Sequence, residues 1–333
     1  MKKLLLLTFI GAISASTVLH AQKIKREVVG KYTYTQLPID IRLKSSKTYK
    51  IVGRGDNMDG YEKDNMSRAI YLSGFEKKDR NANDVDFKVD IEKYIIKFSD
   101  TEQKSSLKTI KKDGVEKKVK YYYYTCEATY KYVLKIFKDG EQIYKDINEG
   151  KDDIEGGENT SSKTAYENYK TKRKNYLNSA TSEKVKEMNG AINEKFCILE
   201  KTTFLRSAHI KPKKHNYDDY VVSFEQMKNG YLIVAADENS IEKAKVDLTK
   251  AIDGFKIILK ESDPENRKAR INKKISALLY INIGHCYFMM KDYVAAAQNY
   301  ANAMEYDKSF LDSRNMKRIS EKLNKRVEAN RIL

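Results

Sequence analysis

Histidine is the side chain that most often serves in metal sites and in acid–base catalysis. Beyond residue 21 only His209, His215 and His285 occur, and none stands in a metal-ligand spacing such as His-Glu-x-x-His. His209 and His215 flank a Lys-Pro-Lys-Lys segment, which is typical of an exposed loop. The Gly-x-Ser-x-Gly nucleophile motif and the glycine-rich phosphate loops are absent. The sequence therefore predicts a protein that is not an enzyme, with no catalytic residue, no metal and no cofactor.

Three cysteines, Cys126, Cys197 and Cys286, could bind a metal or form a disulfide. Their number is odd, and their spacing matches neither a zinc knuckle nor a disulfide framework. Cys286 lies at a small buried position of a predicted helix, which leaves Cys126 and Cys197 as the one pair that could be joined. The sequence leaves that pairing open.

A run of four tyrosines, Tyr121–Tyr124, lies in a lysine-rich part of the chain. Alternate residues of a strand point to opposite faces, so two of these tyrosines would share each face. Exposed tyrosines beside lysines can stack on sugar rings while the lysines meet acidic groups. The simpler interpretation is that one face is core and the other is a tyrosine-rich wet surface.

The chain is strongly basic, with a formal net charge of +17 at pH 7. Loss of residues 1–21, which include two lysines and no acidic residue, would lower this charge to +15. In an exported protein such a charge suits an anionic envelope polymer or an acidic protein partner, and not nucleic acid. A lysine-rich surface that only keeps the protein soluble is the plainer alternative.

The first residues have the order of a bacterial secretory signal peptide. A basic start at Met1-Lys2-Lys3 is followed by an apolar stretch from Leu4 to Ile10 and by small residues. The apolar stretch is too short to span a bilayer, which takes about 20 residues. We expect cleavage after Ala21 and export, with no transmembrane segment afterwards. Residence in the periplasm, association with the outer membrane and secretion all stay open.

Strand patterns dominate residues 22–148. Val85–Ile91 alternates apolar and polar residues in the way of a half-buried strand. Asp139-Gly140 separates two apolar-rich runs, which is a strong hairpin signal. We predict that this region forms an antiparallel, sandwich-like β domain.

In the remaining chain, the composition and the hydrophobic pattern change twice. Residues 149–163 are rich in glycine and polar residues, which is typical of a loop, and two helices and an extended segment follow. Residues 149–215 are therefore predicted to be a loop, a helical connector and a short β segment. That segment either pairs with the first sheet or forms a small hairpin. Residues 216–333 show apolar residues at helical spacing, so the predicted fold class is α+β with a C-terminal helical array and capping helix.

Within this array, Ala277–Phe310 resembles one tetratricopeptide (TPR) repeat over its full length of 34 residues. Lys308 departs from the family, which usually has proline there. A looser copy precedes this repeat. The signature positions of the family are occupied by Tyr280, Gly284 and Tyr287 in the first helix and by Ala296, Tyr300 and Ala303 in the second.

The resemblance implies a concave groove, lined by first-helix residues, that receives a peptide of a partner. The corresponding positions are mostly apolar: Leu278, Ile281, His285, Phe288 and Met289. Such a groove either holds a hydrophobic segment of a partner or is filled by neighbouring helices of this chain.

These patterns predict a non-enzymatic scaffold or adaptor of the cell envelope that binds a protein partner through its TPR-like domain. The alternative is a binding module for an anionic envelope glycan, which would use the basic, tyrosine-rich β domain. The identity of the partner and the oligomeric state stay open.

Overall fold

The structure, a computed structural model, combines helices and strands, which confirms the mixed α and β content expected from the sequence. The predicted signal peptide and its cleavage site lie outside the described residues, which are 24–55, 60–112, 114–210, 215–308 and 310–331. The strands are β1 (Ile24–Gln36), β2 (Thr48–Gly55), β3 (Glu76–Lys77), β4 (Phe87–Phe98), β5 (Glu102–Lys112), β6 (Val115–Lys138), β7 (Glu141–Glu155) and β8 (Leu199–Ile210). The helices are α1 (Gly60–Ala69), α2 (Ser162–Phe196), α3 (Asp218–Ala236), α4 (Ile241–Leu259), α5 (Lys273–Met289), α6 (Tyr293–Tyr306) and α7 (Ser313–Arg331).

Two compact units divide the chain, and their boundaries differ from those predicted at residues 148 and 215. The sheet unit comprises Thr35–Lys201 and the C-terminal residues from Lys325. The helical unit comprises the described residues of Thr202–Asn324 and of the N-terminal part, 24–34. The predicted helical connector therefore belongs with the sheet, and most of β1 belongs with the helices. The reason is that β1 pairs with β8, a contact between distant residues that local sequence patterns do not carry.

The sheet unit contains a six-stranded sheet in the order β3-β2-β4-β6-β5, with β7 also paired to β6. The pairs formed by β6 with β4, β5 and β7 are antiparallel, as predicted. In contrast, β2 runs parallel to both β3 and β4. The chain passes through α1 between β2 and these strands, and such crossover connections join parallel strands.

One face of this sheet is covered by helices, where a sandwich would require a second sheet. Its hydrophobic cluster joins Tyr132 and Leu134 of β6 with Val185, Met188 and Ile192 of α2. Helix α2 is one element of 35 residues, whereas the sequence suggested two shorter helices. The sandwich prediction is thus replaced by a sheet with a helical layer.

Strand β7 continues to Glu155 through a segment that the sequence predicted as a loop. Ile154 is buried there, which anchors the strand to the core. Gly150 lies opposite Tyr130, and a Cβ on Gly150 would come within 2.8 Å of the tyrosine hydroxyl oxygen. This glycine therefore makes room for a ring on the neighbouring strand and does not mark a turn.

The helical unit consists of the two-stranded β1–β8 sheet, the successive helix pairs α3–α4 and α5–α6, and the first part of α7. The extended segment before residue 210 therefore pairs with β1 and not with the larger sheet. Gly284 of α5 lies against the ring of Tyr300 on α6, so these two helices approach closely. Among the helices of the described residues, none is both long and apolar enough to cross a membrane.

Gly284→Ala is expected to destabilise the helical unit by about 1–3 kcal/mol, because the added Cβ would overpack a buried ring. It would lie 2.7 Å from Cε1 of Tyr300, which is fully buried. Helix propensity alone favours alanine by about 1 kcal/mol. The matched control is Gly190→Ala in α2, where an added Cβ meets no described atom within 4 Å and should stabilise the helix. Thermal unfolding measures both, and equal stabilisation by the two changes would contradict the close contact.

Candidate binding surfaces

The groove predicted from the TPR resemblance is closed in the structure. All five of its residues are fully buried, and the chain's own strands β1 and β8 contact two of them, Phe288 and His285. The ring of Phe288 meets those of Tyr32 and Tyr34 edge-on, at centroid distances of 5.7 and 5.6 Å. Of the two alternatives that the sequence left open, the structure therefore supports the filled groove: neighbouring helices α4 and α6 pack on α5, and strands β1 and β8 contribute as well. The residues concerned are Leu278, Ile281, His285, Phe288 and Met289.

Polar contacts also hold β8 against this surface. His285 Nε2–H donates to the carbonyl of Arg206 at 2.9 Å, and His285 Nδ1 accepts from the Tyr300 hydroxyl at 2.8 Å. Beside it, Ser207 Oγ donates to Asn282 Oδ1 at 2.6 Å. Burial lowers the pKa of His285 to about 4, so the ring is neutral at pH 7. This histidine thus joins β8 to two helices and is not free to serve as a metal ligand or a base.

The residues at TPR signature positions lie in the contacts between helices. Gly284 faces the ring of Tyr300, and Tyr280 stacks on Tyr306 at a centroid distance of 5.8 Å. The hydroxyl of Tyr287 accepts a hydrogen bond from a lysine of α4. Three signature residues of α6 are fully buried: Ala296, Tyr300 and Ala303.

The cysteines and the remaining histidines form no reactive site. Cys126, Cys197 and Cys286 are all free and buried, so the pairing of Cys126 with Cys197 that the sequence left open does not occur. Burial raises the pKa of the Cys197 thiol to about 12. His209 lies in β8 and not in a loop, and its Nε2 is 2.5 Å from Glu27 Oε2. The ring of His215 bonds a backbone carbonyl. No group of three or more metal-binding side chains occurs among the described residues.

A buried carboxylate that the sequence did not single out lies in β4. Asp90 points away from the helical layer, and its Oδ2 is 3.4 Å from Arg54 Nε and 3.5 Å from Lys88 Nζ. Beside it, Lys135 donates to Glu92 at 2.7 Å. Charges of both signs cover this carboxylate, so the cluster is an ion-pair network on the sheet surface and not an open site. The only sequence feature that indicates this cluster is the position of Asp90 on the polar face of the alternating segment Val85–Ile91.

A basic exposed surface is formed by a two-stranded ribbon that we call the arm, which consists of β5 and Val115–Thr125 of β6. It carries seven lysines and three acidic residues between Glu102 and Tyr124. Glu158 pairs with Lys108 and accepts a hydrogen bond from Ser106 at 2.9 Å. The other lysines of the arm with described side chains are exposed, and four of them form no ion pair with any described residue: Lys111, Lys117, Lys118 and Lys120.

The four consecutive tyrosines lie in the arm and alternate between its faces, in keeping with the strand predicted for them. On one face Tyr124 contacts the ring of Tyr166 at 5.1 Å and shares a hydrogen bond with Ser162 at 2.8 Å, which docks the arm on the start of α2. On the other face Tyr121 lies beneath the ammonium of Lys108 at 5.4 Å. Tyr124 is therefore partly buried against the core beside α2, whereas Tyr121 lies on a wet, basic face.

A smaller concavity lies between α6 and α7 of the helical unit, with a volume of about 240 Å³. Its lining includes Ala297 and Ala301 and the ion pair of Lys317 with Glu321, at 2.9 Å. Val294 beside it is 61% exposed. This cleft is shallow and nearly neutral, so it offers less to an anionic partner than the arm does.

In comparisons with known proteins, the sequence matches no protein-family model and no curated protein. A function for this chain therefore has to be inferred from its own surfaces.

Proposed function

We propose that this protein is an exported, non-enzymatic scaffold or adaptor that binds an acidic partner protein through the arm. The observation that carries the proposal is the arm's set of exposed lysines without an ion pair to any described residue: Lys111, Lys117, Lys118 and Lys120. Unpaired surface charges of one sign attract an oppositely charged partner and raise its rate of association. The predicted TPR groove cannot serve this purpose because its residues are buried.

The helical unit takes a supporting role in this proposal. Its two helix pairs and final helix, with Gly284 seated against Tyr300, support a TPR-like array. Because the groove residues of that array are buried and two of them contact β1 and β8, we assign the helices to holding the strands and not to receiving a peptide. The signal-like N-terminus supports export, and the proposed location is the periplasm or the outer membrane.

A second candidate function is binding of an anionic envelope glycan, and one observation favours it. Tyr121 lies on the outward face of the arm beside Lys108, and Tyr123 lies opposite Lys104 in the strand pairing. Tyrosine rings can stack on sugars while lysines meet carboxylates or phosphates. Both functions use the arm, so the chemistry of the ligand distinguishes them.

Replacing Lys117, Lys118 and Lys120 by glutamine in one variant is expected to weaken partner binding about tenfold at low salt. Three exposed charge contacts of about 0.5 kcal/mol each account for that loss. The measurement is affinity capture by the mature protein from its own envelope, with mild cross-linking, at low and at high salt. Salt should weaken the wild type more than the variant, because exposed charges are screened.

The matched control removes the same charge from α4 and the residue that follows it, through glutamine at the exposed Lys243, Lys250 and Lys260. This control should capture the partner as well as the wild type does. Equal losses in the two variants would mean that only net charge matters, which would overturn the assignment to the arm. Glycan-rich material in place of a stoichiometric protein would favour the second candidate.

A further inference from the structure

The two edges of β6 are used differently along its length. On one side, β6 pairs with β4 and then with β5. On the other side, β7 pairs with Thr125–Lys138, and one further bridge joins Tyr122 to Asn159. No described strand pairs with Val115–Tyr121 on that second side, which we call the open edge of β6.

The backbone direction at the open edge follows from its last occupied position. Tyr122 donates its N–H to the carbonyl of Asn159 at 2.8 Å and accepts from the Asn159 N–H at 2.9 Å. The carbonyl of Tyr124 likewise accepts from the N–H of Gly156 at 2.9 Å. In an antiparallel strand the N–H and C=O of one residue point to the same side, and successive residues alternate. Lys118 and Lys120 therefore direct their N–H and C=O groups toward the open edge, and so does Glu116.

Strand β7, which pairs with the same side of β6, indicates what charge a segment bound at the open edge would carry. β7 carries six acidic residues and two lysines in its 15 residues. Two ion pairs link it to β6: Lys131 with Glu149 and Lys151 with Glu127, each at 2.7 Å. Beyond Glu155 the same side of β6 continues with lysines but without a strand. An acidic segment would extend there the pairing that β7 begins.

A second copy of this chain does not fit the open edge. Two arms, each with seven lysines and three acidic residues, would repel each other, and edge lysines are a common device against such self-pairing. An extended segment of negative charge would not be repelled by the lysines of the arm. Its backbone would satisfy the exposed N–H and C=O groups, and its carboxylates would meet the unpaired lysines.

We infer that the open edge of β6, Val115–Tyr121, receives an extended acidic segment of the partner protein as an added β-strand. This inference rests on the proposed function, because it assigns the mode of binding to the same arm. It also separates the two candidate ligands: strand addition needs backbone hydrogen bonds, which an anionic glycan does not form in this pattern.

The test compares Lys118→Pro with Lys118→Gln. Both changes remove the charge, but only proline removes the N–H that faces the open edge, and proline is tolerated at such edge positions. The probes are a labelled peptide of alternating valine and glutamate, and polygalacturonate as an anionic glycan. We expect Lys118→Gln to weaken peptide binding about twofold, and Lys118→Pro to weaken it about tenfold further.

Two controls keep the result interpretable. Thr109→Pro removes an N–H from the outer edge of β5 directly opposite Lys118, and it should leave peptide affinity unchanged. Amide exchange at Val119 and Tyr121, whose N–H groups face β5, reports whether the arm stays folded in each variant. If it does not, the wild-type protein with a peptide N-methylated at alternate residues replaces the proline variant, and binding should be lost.

Equal binding by the proline and glutamine variants, or full binding of the N-methylated peptide, would overturn strand addition. A loss with Thr109→Pro equal to that with Lys118→Pro would overturn the assignment to β6. Polygalacturonate binding that both Lys118 variants weaken alike, without peptide binding, would overturn strand addition and leave the arm as the binding surface. Failure of the triple glutamine variant to weaken any binding would instead overturn the proposed function itself.

Discussion

Phe288→Ala is expected to lower the free energy of unfolding of the helical unit by about 3–5 kcal/mol. The ring is fully buried and touches Tyr32 and Tyr34 of β1 and Tyr293 of α6 edge-on. Truncation removes these contacts and leaves a cavity between the strands and the helices. Urea unfolding followed by circular dichroism measures the change.

The matched control is Phe204→Ala in β8, where the same side chain is 50% exposed. It should cost about 1–2 kcal/mol, because only half of this side chain is buried and truncation leaves no enclosed cavity. If Phe288 instead lined an open groove, its truncation would weaken partner binding and leave stability close to that of the wild type. That pattern would contradict the closed groove.

Acidification from pH 7 to pH 4 is expected to destabilise the helical unit through His285. Its pKa is about 4 in the folded state, against 6.5 for an unperturbed histidine. The unfolded chain therefore binds a proton between these values while the folded chain does not, and stability falls as the pH falls through this window. At 1.36 kcal/mol per pKa unit the loss reaches about 3 kcal/mol.

The measurement is the free energy of unfolding of wild type and His285→Gln across this pH range. Glutamine costs stability at pH 7, because it replaces the bonds to Arg206 and Tyr300 imperfectly, but it does not titrate. The difference between the two proteins should therefore shrink as the pH falls, and His209 and His215 cancel because both proteins contain them. A constant difference would mean that His285 does not resist protonation in the fold.

Much of the local structure follows from the sequence because the determining residues are neighbours in the chain. Asp139 and Gly140 adopt the positive φ angles, 52° and 82°, that the hairpin between β6 and β7 requires. The spacing of Gly284 and Tyr300 similarly anticipates the contact between α5 and α6. Such signals depend on one turn or one pair of adjacent helices.

The part that strands β1 and β8 take in closing the groove could not be predicted in the same way. It depends on the pairing of β1 with β8, two segments more than 150 residues apart. No local sequence pattern in β1 or β8 predicts that the two segments pair with each other. The buried state of His285 follows from that pairing, since the carbonyl of Arg206 on β8 is its partner. From the sequence alone, His285 could therefore be placed either at a binding site or in a filled groove.

The candidate site was partly visible in the sequence. The tyrosine run and its lysines indicated a strand with one wet, basic face, and the structure places them in the arm. The open edge could not be inferred, because it depends on where β7 stops pairing with β6. The second, acidic half of β7 was also missed, because its composition after residue 149 is typical of a loop. Its Gly150 makes room for the ring of Tyr130 and does not mark a turn.

Lysine footprinting of the mature protein, free and in complex with its captured partner, tests most directly whether the arm is the binding surface. Lysines are acetylated briefly in both states and their reactivity is read by mass spectrometry. We predict that Lys117, Lys118 and Lys120 lose reactivity in the complex, while Lys243 and Lys250 of α4 stay as reactive as in the free protein. Protection confined to Lys317 at the α6–α7 cleft, with the arm lysines unchanged, would contradict the assignment and place the partner on the helical unit.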